Sequence, residues 1–113
     1  MNVDVIVTEG PSAALAAKNA TAVTPIVFTF VPDPVGLGVV AGLARPGGNI
    51  TGLSNLGVEL TAKRVELLKE AIPSLKSVVI LTDPANPGSA PHLKEAQIAA
   101  RRLGLEASLV EVR

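Results

Sequence analysis

A chain of 113 residues with ten basic and ten acidic side chains has no net field to draw it to nucleic acid or to an anionic membrane, so nucleic acid is not an expected partner. The absence of cysteine excludes a disulfide framework, a Cys-based zinc site and thiol redox chemistry. The only aromatics are Phe28 and Phe30, the length allows one domain's worth of core, and every apolar run is broken well short of the ~20 residues of a membrane span.

Met1-Asn2-Val3-Asp4 leads straight into an apolar run with no basic n-region, h-region or cleavage site, so no signal peptide is expected in this chain. Val3 to Val7 reads as a buried strand, Thr8-Glu9-Gly10-Pro11-Ser12 as a turn, and Ser12 to Ala20 as a helix of small residues. Pro25 to Val31 is apolar on both alternating faces and β-branched, which suits a strand of a covered, parallel sheet. After Pro32-Asp33-Pro34, a short helix is expected over Val35 to Leu43, weakened by its glycines, then a turn at Arg45 to Asn49 and a strand over Ile50 to Ser54. Glu59 to Ile72 places Val65, Leu68 and Ile72 on one stripe and its charges opposite, an amphipathic helix. Ser77 to Thr82 is a further strand. Ser89 is an expected N-cap for a helix with Leu93, Ala96, Ala100 and Leu103 on one face; Gly104 stops it, and Leu105 to Val112 closes the chain as a strand. Alternating strands and helices with short turns define an α/β architecture with parallel sheets. Only five of the twenty charges precede Glu59, so the first half should be the more covered and the second the more solvated, with two structural units meeting near residues 55 to 75.

Gly36, Gly38 and Gly42 resemble a dinucleotide fingerprint only superficially, because Pro32-Asp33-Pro34 separates them from the strand and no ribose-binding acid follows; close packing of small residues is the simpler reading. His92, the only histidine, lacks a second metal ligand and reads as a solvated surface residue. Neither Ser12 nor Ser54 sits in a nucleophile elbow, so a Ser-His-Asp relay with His92 and Asp33 is not expected. Asn49-Ile50-Thr51 fits a glycosylation sequon, a pattern frequent by chance, and KRVELLKE is a solvated helix face with Glu66 and Glu70 near Lys69 and Lys63. What remains are polar residues directly after strand ends: Thr8, Gly10 and Ser12; Asp33; Ser54 and Asn55; Asp83, Asn86 and Ser89. In parallel α/β sheets, ligands bind beyond the carboxyl ends of the strands. Asp and Asn in such turns also serve to bond their own backbone.

Taken in order, VDVIVTEGPSAALAAKNAT, TPIVFTFVPDPVGLGVVAGLARPGGNITGLS, KRVELLKEAIP and VVILTDPANP resemble the substrate-binding proteins of ABC importers of the tryptophan/tyrosine transport type, with the type I periplasmic-binding-protein fold. The most specific part is the linked pattern of a PIVF strand, Asp-Pro, RPGGN-I-TG and then KR-x-ELL. The resemblance implies two Rossmann-like lobes that close on a small polar solute, an amino acid being one candidate, with no enzymatic step and no cofactor. It implies an ABC permease as partner and an extracytoplasmic location. It divides the chain into the last part of lobe one (1–56), a hinge crossover and linking helix (57–76) and the first part of lobe two (77–113). It places Thr8, Gly10 and Ser12 in a cleft loop, Asp33 after the next strand, Ser54 and Asn55 near the hinge, and Asn86 in the first loop of lobe two. Glu9 departs from the family pattern, where small residues or glycine are commoner; a carboxylate there repels a ligand carboxylate or attracts a cation. The same fold also serves in ligand-sensing domains of regulators and receptors, and a nucleotide-dependent enzyme is the remaining alternative. Because the family pattern has further strand-helix units ahead of VDVIVT, that strand's two apolar faces are expected to promote self-association of the chain.

Overall fold

A computed structural model describes residues 2–112. Among them, eight elements follow in order: β1 (Ile6–Glu9), α1 (Gly10–Ala20), β2 (Ile26–Pro32), β3 (Ile50–Asn55), α2 (Glu59–Ala71), β4 (Ser77–Thr82), α3 (Ser89–Arg102) and β5 (Glu106–Glu111). They fall into two compact units, Met1–Leu56 and Gly57–Arg113. No helix among the described residues is long and apolar enough to cross a membrane.

In the first unit, β1, β2 and β3 form a three-stranded sheet in that order, with both pairs parallel. The central strand supplies the core: Ile26, Phe28 and Val31 are buried with Ala14 of α1, Val39 and Val40 of the following loop, and Ile50 of β3. Only one face of β2 is fully covered, since the alternate residues Val27 and Thr29 are half-buried. The first strand begins at Ile6, three residues later than the apolar run suggests. Its pairing starts opposite Ile26, because Pro25 has no N–H to extend the ladder and offers only its carbonyl, to the Ile6 amide at 2.9 Å. Val3 and Val5 are left exposed outside the sheet.

The helix expected over Val35 to Leu43 does not form. Leu37 N–H donates to Asp33 O, Gly38 N–H to Val35 O, and both Val39 and Val40 N–H to Pro34 O, a set of turns without a repeating helical ladder. Asp33 (φ 45°) and Gly38 (φ 71°) are both left-handed, which ends any helical run around them, while Val39 and Val40 insert into the core. Asn49, the sequon residue, spends its side-chain amide on Thr21 O (3.1 Å) and Thr24 O (2.7 Å), locking the entry of β3 to the end of α1. Its role here is structural.

In the second unit, β4 and β5 form a two-stranded parallel sheet, and α3 lies against both strands and against α2. Ala96, Ala99, Ala100 and Leu105 are buried; small residues let the helix approach closely. α3 ends in a Schellman motif, with Leu105 N–H on Ala100 O (2.9 Å) and Gly104 N–H on Arg101 O (3.1 Å), so Gly104 stops the helix as expected. Ser89 is the first helical residue; Gly88 occupies the cap position. The strands are the more solvated of the two sheets: every residue of β5 is exposed, and so are Val79 and Leu81 of β4. On α2, Lys63 pairs with Glu66 at 3.1 Å, and that hydrogen bond raises the lysine's pKa, whereas Lys69 caps the helix end through Pro73 O and Leu75 O. His92 is not a free surface residue. Its Nδ1 lies 2.9 Å from the hydroxyl of the buried Thr61, which donates its single proton to Gly57 O (2.9 Å), so the ring N–H donates to the threonine.

Candidate functional site

Because the three strands of the first unit are parallel, their carboxyl ends lie on one edge of the sheet, and the register fixes which residues meet there. Glu9 stands opposite Thr29, Val31 opposite Ser54 and Pro32 opposite Asn55. Six of the residues named from the sequence, Thr8, Gly10, Ser12, Asp33, Ser54 and Asn55, therefore belong to or directly follow this edge. Asn86 stands at the corresponding edge of the second unit, after β4.

β1 passes into α1 without an intervening loop. Gly10 (φ 79°) is already the first helical residue, two positions before the expected start, and Pro11 follows it at the first turn. Glu9 occupies the N-cap position in extended geometry but makes no side-chain cap, and no acidic residue sits in the first turn. The amide groups of that turn, with Ser12 exposed among them, carry the partial positive charge of a helix N-terminus and receive no side-chain cap bond. Immediately before it, the Thr8 hydroxyl is buried without a hydrogen-bond partner among the described residues. Its backbone carbonyl accepts the Thr29 hydroxyl at 3.2 Å, which ties the two strand ends together. A buried hydroxyl left unpaired costs about 1–3 kcal/mol, so it calls for a partner such as a bound water or a ligand.

β2 ends irregularly. Its register with β3 shifts between Phe28 and Val31; Phe30, within this bulge, has φ 54°, and Asp33, just after the strand, has φ 45°. Left-handed backbone at non-glycine residues costs roughly 1–3 kcal/mol each and gathers at functional sites. Asp33 offsets part of the cost: its carboxylate accepts the Gly36 amide at 2.9 Å, and its carbonyl accepts Leu37 N–H at 3.0 Å. Gly36 leaves room for this carboxylate, since a Cβ there would lie 2.0 Å from the other carboxylate oxygen unless the side chain moved away. Phe30 has no such compensation and is 67% exposed, although it is one of only two aromatics. FTF alternation predicts an ordinary strand with both rings on one face; only the bulge puts the Phe30 ring outside.

Ser54 and Asn55 are exposed at the end of β3, the serine hydroxyl reaching Asn55 O at 3.4 Å. In the second unit, Asn86 accepts Gly88 N–H (2.9 Å) and Asp83 accepts Ala85 N–H (2.9 Å), both in turn geometry. A shallow depression of about 380 Å³, lined by Lys18, Val39, Val40, Asn49 and Ile50 among others, lies elsewhere in the first unit and includes none of the strand-end residues. No cluster of acidic, histidine or cysteine side chains suited to a metal occurs among the described residues. Gly36, Gly38 and Gly42 lie in the turns after β2, where no helix follows to hold a pyrophosphate.

Parallel sheets with their helices define an α/β protein, an architecture in which small molecules are commonly held beyond the strand ends. The chain belongs to the ABC transporter substrate binding protein family, whose model matches residues 1–113. It is 39% identical over 79 residues to a tyrosine-binding protein of Clostridioides difficile (strain R20291), covering 69% of this chain and 22% of that protein. Among solved structures, it resembles a conserved domain protein from Vibrio cholerae O1 biovar El Tor (TM-score 0.91, 35% identity, 98% of this chain and 37% of that one). It also resembles an ABC domain from Streptococcus pneumoniae solved in complex with L-Trp (TM-score 0.86, 30% identity, 96% and 36%). The chain thus spans 37% or less of the length of each of these relatives.

Proposed function

We propose that the chain is part of the solute-binding component of an ABC importer, working outside the cytoplasm with a membrane permease, and that its solute is an amino acid held between two lobes. The observation that carries this is the combination, at the strand ends of the first unit, of the uncapped start of α1 with the unpaired Thr8 hydroxyl. The amides of the first turn, with Gly10 and Ser12, suit the α-carboxylate of the solute. Asp33 and the exposed Glu9 offer the negative charge that suits its α-ammonium, so Glu9 favours a zwitterion over a simple carboxylate. Ser54 and Asn55 complete the lobe-one wall, and Asn86 faces the solute from lobe two. No bond is made or broken; orientation by hydrogen bonds and closure of the lobes remove the solute from water. The tyrosine-binding relative and the L-Trp complex support an amino acid as solute.

Calorimetric titration of the full-length protein with a panel of amino acids, with NADH alongside, tests the proposal. Saturable binding of at least one amino acid, weakened for Glu9→Gln, is expected. Binding of no amino acid, or of NADH instead, would overturn it.

A further inference from the structure

At its one buried side chain, the first helix of the second unit is held to its neighbour by hydrogen bonds. α2 packs against α3, and α3 in turn against β4 and β5. Of the residues of α2 only Thr61 is buried; its hydroxyl donates to Gly57 O (2.9 Å) and accepts from Nδ1 of the half-buried His92 on α3 (2.9 Å). Gly57 is where the chain enters this unit, and α2 starts two residues on with no side-chain cap. α3 follows the turn that carries Asn86 after β4. Two bonds in series therefore tie the entry peptide of the unit to the helix that leaves its strand-end turn. Apolar contacts tolerate small slides of one helix on another, whereas directional bonds that satisfy a buried hydroxyl select one arrangement. The single hydroxyl proton is used on Gly57 O, so a neutral His92 carries its ring proton on Nδ1.

We infer that His92 is a positioning residue for solute capture, acting through Thr61 and not by touching the solute, an inference that rests on the two-lobe binding proposed above. Through Thr61 it fixes the Gly57 peptide relative to α3, so the entry of the second unit and the Asn86 turn move as one body when the lobes close. Without the bond the entry peptide takes up other arrangements, and the apparent affinity falls with the fraction of molecules still competent to close.

The test uses the full-length protein, titrated calorimetrically with the standard L-amino acids as parent and then with the best-bound one as His92→Leu, His92→Asn and Thr61→Val. The leucine keeps the bulk without a donor, and the asparagine keeps an N–H in the place of Nδ1. His92→Leu and Thr61→Val should lose about three- to tenfold in affinity, and His92→Asn should stay within about twofold of the parent. Titrations run well below the melting temperature of each variant, so a loss of fold does not pass for a loss of affinity. A His92→Leu variant that melts earlier but binds like the parent, or a His92→Asn variant as weak as His92→Leu, would overturn the positioning role and leave the solute-binding proposal standing. Nitrogen NMR of the parent needs no variant: the neutral His92 ring should be protonated at Nδ1, and protonation at Nε2 alone would overturn the inference. A parent that binds no amino acid would overturn the solute-binding proposal and this inference with it.

Discussion

The carboxylate of Asp33 accepts the Gly36 amide at 2.9 Å, and a Cβ on residue 36 would sit 2.0 Å from the other carboxylate oxygen. The two residues therefore form one device: the glycine leaves room for the carboxylate, and the carboxylate closes the turn that follows a left-handed backbone. Gly36→Ala should force the Asp33 side chain away, break its bond to the residue-36 amide and cost about 0.5–1.5 kcal/mol by urea denaturation. Asp33→Asn keeps an acceptor and tolerates the left-handed backbone, so it should be nearly neutral for stability while weakening solute binding. A Gly36→Ala variant as stable as the parent would contradict the coupling.

Thr8 yields a prediction of opposite signs. Thr8→Val removes a buried hydroxyl that has no partner among the described residues, at nearly constant volume. The solute-free protein should gain about 1 kcal/mol in denaturant unfolding, and the full-length protein should lose about 1 kcal/mol in solute affinity. Loss in both measurements would mean that the hydroxyl serves the fold.

The link from Gly57 O through the Thr61 hydroxyl to His92 Nδ1 joins the start of α2 to α3. Thr61→Val breaks both bonds at once and should cost about 1–2 kcal/mol in unfolding free energy. His92→Ala should cost less, and a double-mutant cycle of the two should give a coupling above about 0.5 kcal/mol. Additive effects would contradict the assigned bond.

Much of this architecture is legible in the sequence where local pattern and tertiary environment agree. The bounds of β4 and the stop at Gly104 follow from an apolar run and a glycine that the chain needs at φ 68°. The turns over 35–43 are not legible, although the break at Pro32-Asp33-Pro34 and the turn at Arg45 to Asn49 are. The apolar run Val35 to Leu43 invites a short helix, but its valines and glycines are weak helix formers, and the left-handed Asp33 and the core's demand for Val39 and Val40 prevail. The exposed ring of Phe30 is not legible either, because FTF alternation places it beside Phe28 and only the bulge turns it outward. The polar strand ends were recognisable because a parallel sheet places every carboxyl end on one edge. The Thr8 vacancy in bonding, by contrast, depends on burial that no spacing reveals.

Val79 and Leu81 of β4 are exposed, and register places Leu81 opposite the exposed Val110 on the same face of the two-stranded sheet. β1 adds a sheet edge with an exposed Val7. The 113-residue chain should therefore associate with itself. Static light scattering over a concentration series should show a rising mass, reduced for the double variant Val79→Thr, Leu81→Thr. A concentration-independent monomer would contradict this.

The most direct measurement is a crystal structure of the full-length protein with its bound amino acid. The carboxylate should lie within hydrogen-bond distance of the first-turn amides of α1, with the Thr8 hydroxyl paired. A solute bound away from the strand ends, for instance in the depression beside Lys18 and Asn49, would contradict the account.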